Sequence, residues 1–155
     1  MNGKDYEQLA AQLAAHPDYR VVRRLDPSRT PPALVSSRIR RAAIVDTETT
    51  GTDPSRDKVI ELAIVVFEYC ADTGATGPVV TTYDALEDPG FPIPPESTAI
   101  HGITDDMVRG QRIDDGQVAA LLGQVGLVIA HNARFDRGFL EARLPVFATV
   151  PWACS

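Results

Sequence analysis

Cysteine and histidine are scarce in this chain, which has two cysteines, Cys70 and Cys154, and three histidines among 155 residues. Two cysteines cannot build a disulfide framework, and no Cys/His group stands at the spacing of zinc ligands. An N-terminal apolar segment that would serve as a signal peptide or a membrane span is also lacking. We therefore expect a cytoplasmic protein without a membrane partner or a structural zinc ion.

Positive charge is sparse and unevenly placed. The net charge of -6 argues against general adhesion to nucleic acid. Residues 1–41 hold eight Lys/Arg and four Asp/Glu, a net charge of +4, whereas residues 42–155 hold seven and seventeen, a net charge of -10. The length and the 44% of hydrophobic residues fit one domain with a real core. We expect a basic N-terminal extension over residues 1–40, with a short helix and a linker, and one domain over residues 41–155.

Apolar periodicity indicates a mixed α/β fold. Helical spacing predicts a helix over residues 4–15, "YRVVRRL" is a possible strand, and "DPSRTPPALVSSRIRR" is typical of a linker. Three apolar strands joined by turns follow, and from residue 93 short helices alternate with the strand "GLVIAHN". Thr104 and Asp114 are expected helix caps. The order predicts a mixed sheet flanked by helices.

Two carboxylates stand at the end of the first core strand, in "AAIVDTETTG". Side chains alternate along a strand, so Asp46 and Glu48 point the same way and lie roughly 6 to 7 Å apart. Such a pair requires a cation between them or a proton on one of them. A third carboxylate, Asp136, follows another apolar strand in "LVIAHNARFD". The alternatives are an ordinary strand end at the surface and, for Asp136, stabilisation by the helix dipole.

Three motifs in this order resemble those of the DEDD 3′-to-5′ exonucleases related to the epsilon proofreading subunit of bacterial DNA polymerase III. "VDTETTG" is similar to the family's first motif, "AHNARFD" to its second, and "IPPESTAIHGIT" to the segment between them. The resemblance covers residues 41 to 155. It implies an RNase H-like mixed sheet, hydrolysis of nucleotides from nucleic acid 3′ ends, and two bound Mg²⁺ or Mn²⁺ ions.

The resemblance also implies roles for individual residues. The metal ligands and catalytic carboxylates would be Asp46, Glu48 and Asp136, while Glu96 and His101 would contact the terminal nucleotide. Oxygen-only ligands suit magnesium or manganese. Further candidate substrate contacts are the turn residues Thr49, Thr50 and Gly51 and the ring of Phe135, although the turn could be an ordinary strand end and the ring simply core. His131 and Asn132 are expected to order the second motif's turn.

The family's third motif, a histidine or tyrosine a few residues before a fourth aspartate, has no counterpart in "RGFLEARLPVFATVPWACS". We expect a truncated exonuclease domain without its C-terminal helices, nearly inactive as given. The alternative is a noncatalytic nucleic-acid-binding or polymerase-associated scaffold module. DNA and RNA remain open as substrates, and polymerase subunits are possible partners. We also expect self-association through apolar surface beside "VFATVPWACS" and the helix carrying Phe139 and Leu140. The alternative is that the predicted helix over residues 4–15 covers this surface within the same chain.

Overall fold

The computed structural model of the chain describes residues 3–22, 31, 33–35 and 38–155. Two compact units are present, one within residues 1–30 and one within residues 31–155. The first contains helix α1, Gly3–Ala14, where the sequence predicts a helix. Tyr19–Val22 form no strand. The rest of "YRVVRRL" and most of the predicted linker lie outside the described residues.

The second unit is built on a five-stranded mixed sheet. Its strands are β1 (Ile39–Thr49), β2 (Val59–Cys70), β3 (Thr76–Leu86), β4 (Leu127–Ala130) and β5 (Trp152–Cys154). Their order is β3-β2-β1-β4-β5. The first three strands pair antiparallel, and β4 and β5 extend the sheet in parallel. The predicted mixed sheet is therefore confirmed.

Four helices follow β3 in the chain. They are α2 (Pro95–His101), α3 (Asp105–Val108), α4 (Asp115–Leu122) and α5 (Ala133–Arg143), and a 3-10 turn at Pro145–Thr149 precedes β5. Asp114 caps α4 as predicted, because its side chain accepts the N–H of Gln117 at 2.9 Å. Thr104 precedes α3, but its side chain makes no capping hydrogen bond, so this prediction is only half right. None of the described helices is long and apolar enough to cross a membrane.

One face of the sheet carries the core. Leu62, Ile64 and Val128 pack on this face in one buried cluster with Phe139, Leu140 and Phe147 from α5 and the 3-10 turn. Phe139 is 3% exposed, and Leu140 and Phe147 are fully buried. The predicted self-association surface around Phe139 and Leu140 is thus wrong, because α5 turns these side chains into the core.

The opposite face of the sheet is only partly covered in the described residues. Ile44 is 47% exposed there, and its cross-strand neighbours Val65 and Ile129 are half-buried. We call Ile44, Val65, Phe67 and Ile129 the open sheet face. Asp46 and Glu48 continue this face along β1, since they are spaced by two from Ile44.

The C-terminal part of β1 has a neighbouring strand on one side only. β4 pairs with Ala42, Ala43 and Ile44, while β2 pairs with β1 as far as Thr49. The register between β1 and β2 shifts between Glu48 and Thr49. The extra residue at this shift lies in β2, and such irregularities are often found next to a functional site. Residues 46–49 therefore have one edge without a partner strand.

Candidate active site

Asp46 and Glu48, the carboxylates of the first motif, lie two residues apart on β1 and point to the same face of the sheet. Asp46 is exposed and Glu48 is half-buried. Across the strand pair, Asp46 lies opposite Ala63, and Glu48 lies opposite Glu61 on β2. The carboxylates of Glu48 and Glu61 therefore crowd one another, since directly opposed like charges destabilise a strand pair.

Asp136 reaches the same end of β1 from the helical side of the sheet. Its carboxylate Oδ1 accepts a hydrogen bond of 2.8 Å from the hydroxyl of Thr47, the residue between Asp46 and Glu48. Asp136 is 3% exposed and Thr47 is 7% exposed. Asp136 lies in the first turn of α5, which begins after Asn132 in the left-handed conformation with φ 54°. That conformation suits asparagine and supports its predicted structural role in the turn.

The charges of these carboxylates are coupled. Burial raises the pKa of Glu48, nearby His101 opposes the rise, and the charges of Asp46 and Asp136 add to it. Burial also raises the pKa of Asp136, the Thr47 hydroxyl counteracts this, and Asp46 again adds to it. The charge of Asp46 thus makes both Glu48 and Asp136 harder to ionise, and a cation at this end of β1 would relieve the repulsion.

The donor set at this end of β1 fits a hard cation. Asp46, Glu48 and Asp136 supply only oxygen, which magnesium and manganese prefer. Among the described residues, however, no group of three His, Cys, Asp or Glu side chains lies close enough together to hold a metal ion in this structure. The hydrogen bond from Thr47 to Asp136 brings the third carboxylate to the segment of β1 that carries Asp46 and Glu48. Their role as joint metal ligands remains a prediction.

The turn after β1 is fixed by hydrogen bonds to its own backbone. Thr50 is 1% exposed, and its hydroxyl accepts the N–H of Lys58 at 3.0 Å. The Thr49 hydroxyl donates to the carbonyl of Gly51 at 2.6 Å. A Cβ at Gly51 would collide with the carboxylate of Asp57. A methyl group at Gly51 would therefore have to displace the Asp57 carboxylate, and the predicted contact of Gly51 with a nucleotide stays a prediction.

Helix α2 is anchored to that turn. The Ser97 hydroxyl donates to the carbonyl of Thr50 at 2.8 Å. His101 ends the helix, and its Nδ1 accepts the N–H of Ile103 at 3.0 Å. With Nδ1 accepting, a neutral His101 carries its proton on Nε2. That Nε2 is buried and has no hydrogen-bond partner among the described residues. It is a donor available to a ligand.

One cavity of about 210 Å³ joins most of the predicted substrate contacts. Five predicted site residues line it, namely Glu48, Thr49, Gly51, His101 and Phe135. Thr47, Thr52, Ser97 and Ile100 complete the lining. Two predicted contacts are placed elsewhere: Thr50 is buried beneath the turn, and Glu96 is exposed on α2 and does not line this cavity.

The exonuclease family (RNase_T) matches residues 43–153, which include most of β1, the residues that line the cavity, and α5. The chain belongs to the exonuclease family. The match spans both predicted motifs and the segment between them, so the family predicted from the sequence is confirmed.

Curated relatives of this exonuclease chain include PolC-type DNA polymerases III. The protein from Clostridium perfringens is 34% identical over 121 residues, which cover 71% of this chain and 8% of the relative. The protein from Thermotoga petrophila is 32% identical over 111 residues, 70% of this chain and again 8% of the relative. This exonuclease chain therefore spans less than a tenth of the length of these relatives.

Solved structures of exonuclease I share the fold. The E. coli enzyme in complex with a dA16 oligonucleotide has a TM-score of 0.55 at 17% identity, over 74% of this chain and 27% of that one. The enzyme from Methylocaldum szegediense has a TM-score of 0.51 at 22% identity, over 66% of this chain and 22% of that one. At these identities the likeness concerns the fold, and it agrees with the predicted RNase H-like sheet.

Thr47 and Glu61 are two residues of the candidate site that the sequence motifs did not single out. Thr47 stands between two candidate carboxylates in the sequence, and in the structure its hydroxyl donates to a third, Asp136. Glu61 lies opposite Glu48, and its pKa is raised by burial and by the charges of Asp84, Glu48 and Asp46. The available signal for Glu61 was a single acidic residue inside the apolar run "VIELAIVV". The available signal for Thr47 was weaker, because its partner lies 89 positions away.

Proposed function

We propose that residues 41–155 form a 3′-to-5′ exonuclease domain that hydrolyses phosphodiester bonds at nucleic acid 3′ ends. The observation that carries this proposal is the hydrogen bond that holds Asp136 against Thr47, between Asp46 and Glu48, beside a cavity lined by Glu48 and His101. Membership of the exonuclease family supports the reaction class. The PolC-type relatives support DNA as substrate and polymerase subunits as partners. Residues 1–40 would be a basic extension of this domain. The cytoplasmic location of the protein stays a prediction.

We assign Asp46, Glu48 and Asp136 as the ligands of two Mg²⁺ or Mn²⁺ ions. When bound, such ions lower the pKa of water and offset negative charge on the leaving oxygen. The chain's own contribution is to hold three carboxylates at one end of β1. Thr47 keeps Asp136 oriented through its hydroxyl.

The cavity residues would position the terminal nucleotide. The unpartnered Nε2–H of His101 is a donor for a sugar or phosphate oxygen, and the half-buried ring of Phe135 is an apolar surface for a base. Ile100 is 85% exposed at the same cavity, so a bound base would cover its side chain. Glu96, exposed on α2, is assigned to the outer rim of the substrate site.

A noncatalytic nucleic-acid-binding or scaffold module is the second candidate. The observation in its favour is that Glu141, the single acidic residue of segment 137–155, is engaged in an ion pair with Arg137 at 2.7 Å. That segment also contains no His or Tyr. A general base contributes about 10²- to 10⁴-fold to a rate, so we expect slow turnover by residues 1–155.

One experiment decides between the exonuclease and the scaffold module. Residues 1–155 are incubated with 5′-labelled DNA and RNA strands and Mg²⁺ or Mn²⁺, and the shortening of the labelled strands is followed. We expect slow shortening from the 3′ end that is lost on metal chelation and in Asp46→Asn. The matched control is Asp106→Asn, since Asp106 is an exposed carboxylate on α3. Cleavage unaffected by Asp46→Asn would contradict the assigned site. Binding of the strands without any cleavage would favour the scaffold module.

A further inference from the structure

A second cavity continues from the candidate active site along the first turns of α5. Its volume is about 410 Å³, and it is lined by Thr52, Pro54, Asn132, Arg134, Phe135 and Phe139. Thr52 and Phe135 line both cavities, so the two form one groove. The volume lies within the range of about 300 to 1,000 Å³ that is typical of small-ligand sites.

The groove offers aromatic surface between its two parts. The rings of Phe135 and Phe139 are 5.0 Å apart between centroids and tilted by 48°. Phe139 is held in the core, while Phe135 remains half-exposed at the wall that the two cavities share. An aromatic ring in this place suits contact with nucleic acid bases without sequence preference.

Arg134 is the cation of this second cavity, and it is exposed and unpaired. It forms no hydrogen bond or ion pair with any other described residue, whereas Arg137 on the next turn is paired with Glu141 at 2.7 Å. Residues 42–155 carry a net charge of -10, so carboxylates far outnumber cations in this domain. An exposed arginine without a carboxylate partner is therefore unexpected beside Phe135. A guanidinium binds phosphate through two parallel hydrogen bonds.

We propose that this second cavity binds the nucleotide next to the terminal one, with Arg134 on that nucleotide's 5′ phosphate. The proposal rests on the proposed function, because it extends the same substrate site by one nucleotide. The occupant is a single-stranded 3′ end. The acidic remainder of the domain would repel the phosphates of this strand, so a cation is needed where they bind. Phe135 lies between the two bases, and Arg134 supplies an unpaired positive charge from the lining of the second cavity.

Two thymidine dinucleotides that differ by one phosphate test the proposal. TpT carries only the phosphate between its two nucleosides, and pTpT adds the 5′ phosphate assigned to Arg134. Each is titrated into ¹⁵N-labelled residues 1–155 with Ca²⁺ present, and chromatography afterwards checks that the probe is intact. Backbone resonances report binding at Glu48 and His101, and the Nε–H resonance of Arg134 reports the new contact.

We expect the chain to bind pTpT about five- to tenfold more tightly than TpT, the gain from one partly exposed charge-assisted contact. Arg134→Gln should remove this gain and leave TpT binding unchanged. Arg137→Gln, with the same loss of charge on the same helix, should keep the gain. The salt dependence of pTpT binding should fall by a slope of about 0.7 in Arg134→Gln.

The outcomes separate the two proposals. The Arg134 subsite would be overturned if Arg134→Gln kept the preference for pTpT, or if the unaltered chain showed no preference. In either case, binding of TpT near Glu48 and His101 would leave the proposed function standing. If neither dinucleotide moved any resonance of the groove, both proposals would fall together.

Discussion

At the scale of single residues, the buried carboxylate of Asp136 depends on the hydroxyl of Thr47. In Thr47→Val the side chain keeps its shape but no longer donates, so a buried anion loses a partner. We expect unfolding free energy to fall by about 1 to 3 kcal/mol at neutral pH. Thr47→Ser retains the donor and should lie close to the unaltered protein in urea unfolding. A loss in Thr47→Ser without a loss in Thr47→Val would mean that packing of the methyl group, rather than the hydrogen bond, matters at this position.

A second residue-scale prediction concerns Gly51. A methyl group there meets the carboxylate of Asp57, which also accepts the N–H of Asp53 at 2.8 Å. Gly51→Ala should cost about 1 to 3 kcal/mol of unfolding free energy through this collision. Because the collision needs the Asp57 side chain, Gly51→Ala combined with Asp57→Ala should cost less than the sum of the single changes. Strict additivity in thermal or urea unfolding would contradict the assigned contact.

At the scale of elements, Arg143 joins α5 to two other parts of the fold. Its guanidinium donates to Glu87 beyond β3 at 2.6 and 2.8 Å and to Asp115 at the start of α4 at 2.9 Å. Arg143 and Glu87 have side chains 22% and 17% exposed. This cluster fixes the helix whose first turn carries Asp136.

We expect Arg143→Gln to lower unfolding free energy by about 1 to 3 kcal/mol at pH 7, between the values for exposed and buried pairs. The hydrogen bond from Arg143 holds the pKa of Asp115 below its usual 3.8. A lowered pKa in the folded state gives stability that is complete above the unfolded pKa and is lost as pH falls through the folded pKa. The difference between the proteins should therefore shrink below about pH 4.

The control for this cluster is Arg137→Gln, whose ion pair with Glu141 has side chains 52% and 30% exposed. It should change unfolding free energy by less than about 1 kcal/mol at any pH. A pH-independent effect of Arg143→Gln would show that its packing, and not its charge, stabilises the junction of α5, α4 and β3.

At the scale of the whole molecule, the open sheet face is the surface on which self-association is now predicted. Ile44 is 47% exposed beside Val65, Phe67 and Ile129, and contiguous apolar surface favours association. Ile44→Lys should shift sedimentation of residues 1–155 towards the monomer. Met107→Lys is the matched control, because Met107 is 48% exposed on α3 and is not part of that face. A monomer at all concentrations before any substitution would contradict this prediction.

The sequence by itself determined the elements, their order and the family. Apolar runs and helical spacing are local signals, so the strands over residues 39–86 and helix α5 could be predicted from them. Alternation along a strand likewise places Asp46 and Glu48 on one face without knowledge of the fold. These features depend only on neighbours in the chain.

Tertiary structure alone decided which distant residues meet. The contacts of Thr47 with Asp136, of Arg143 with Glu87 and of Glu48 with Glu61 depend on strand register and helix docking. Local propensity contains no information on such pairings, because they arise when β1, β2 and α5 pack together. For the same reason the exposed apolar surface was predicted in the wrong place. The sequence of an amphipathic helix shows which face of the helix is apolar. Only the packed structure shows which of the two faces of the sheet the helix covers.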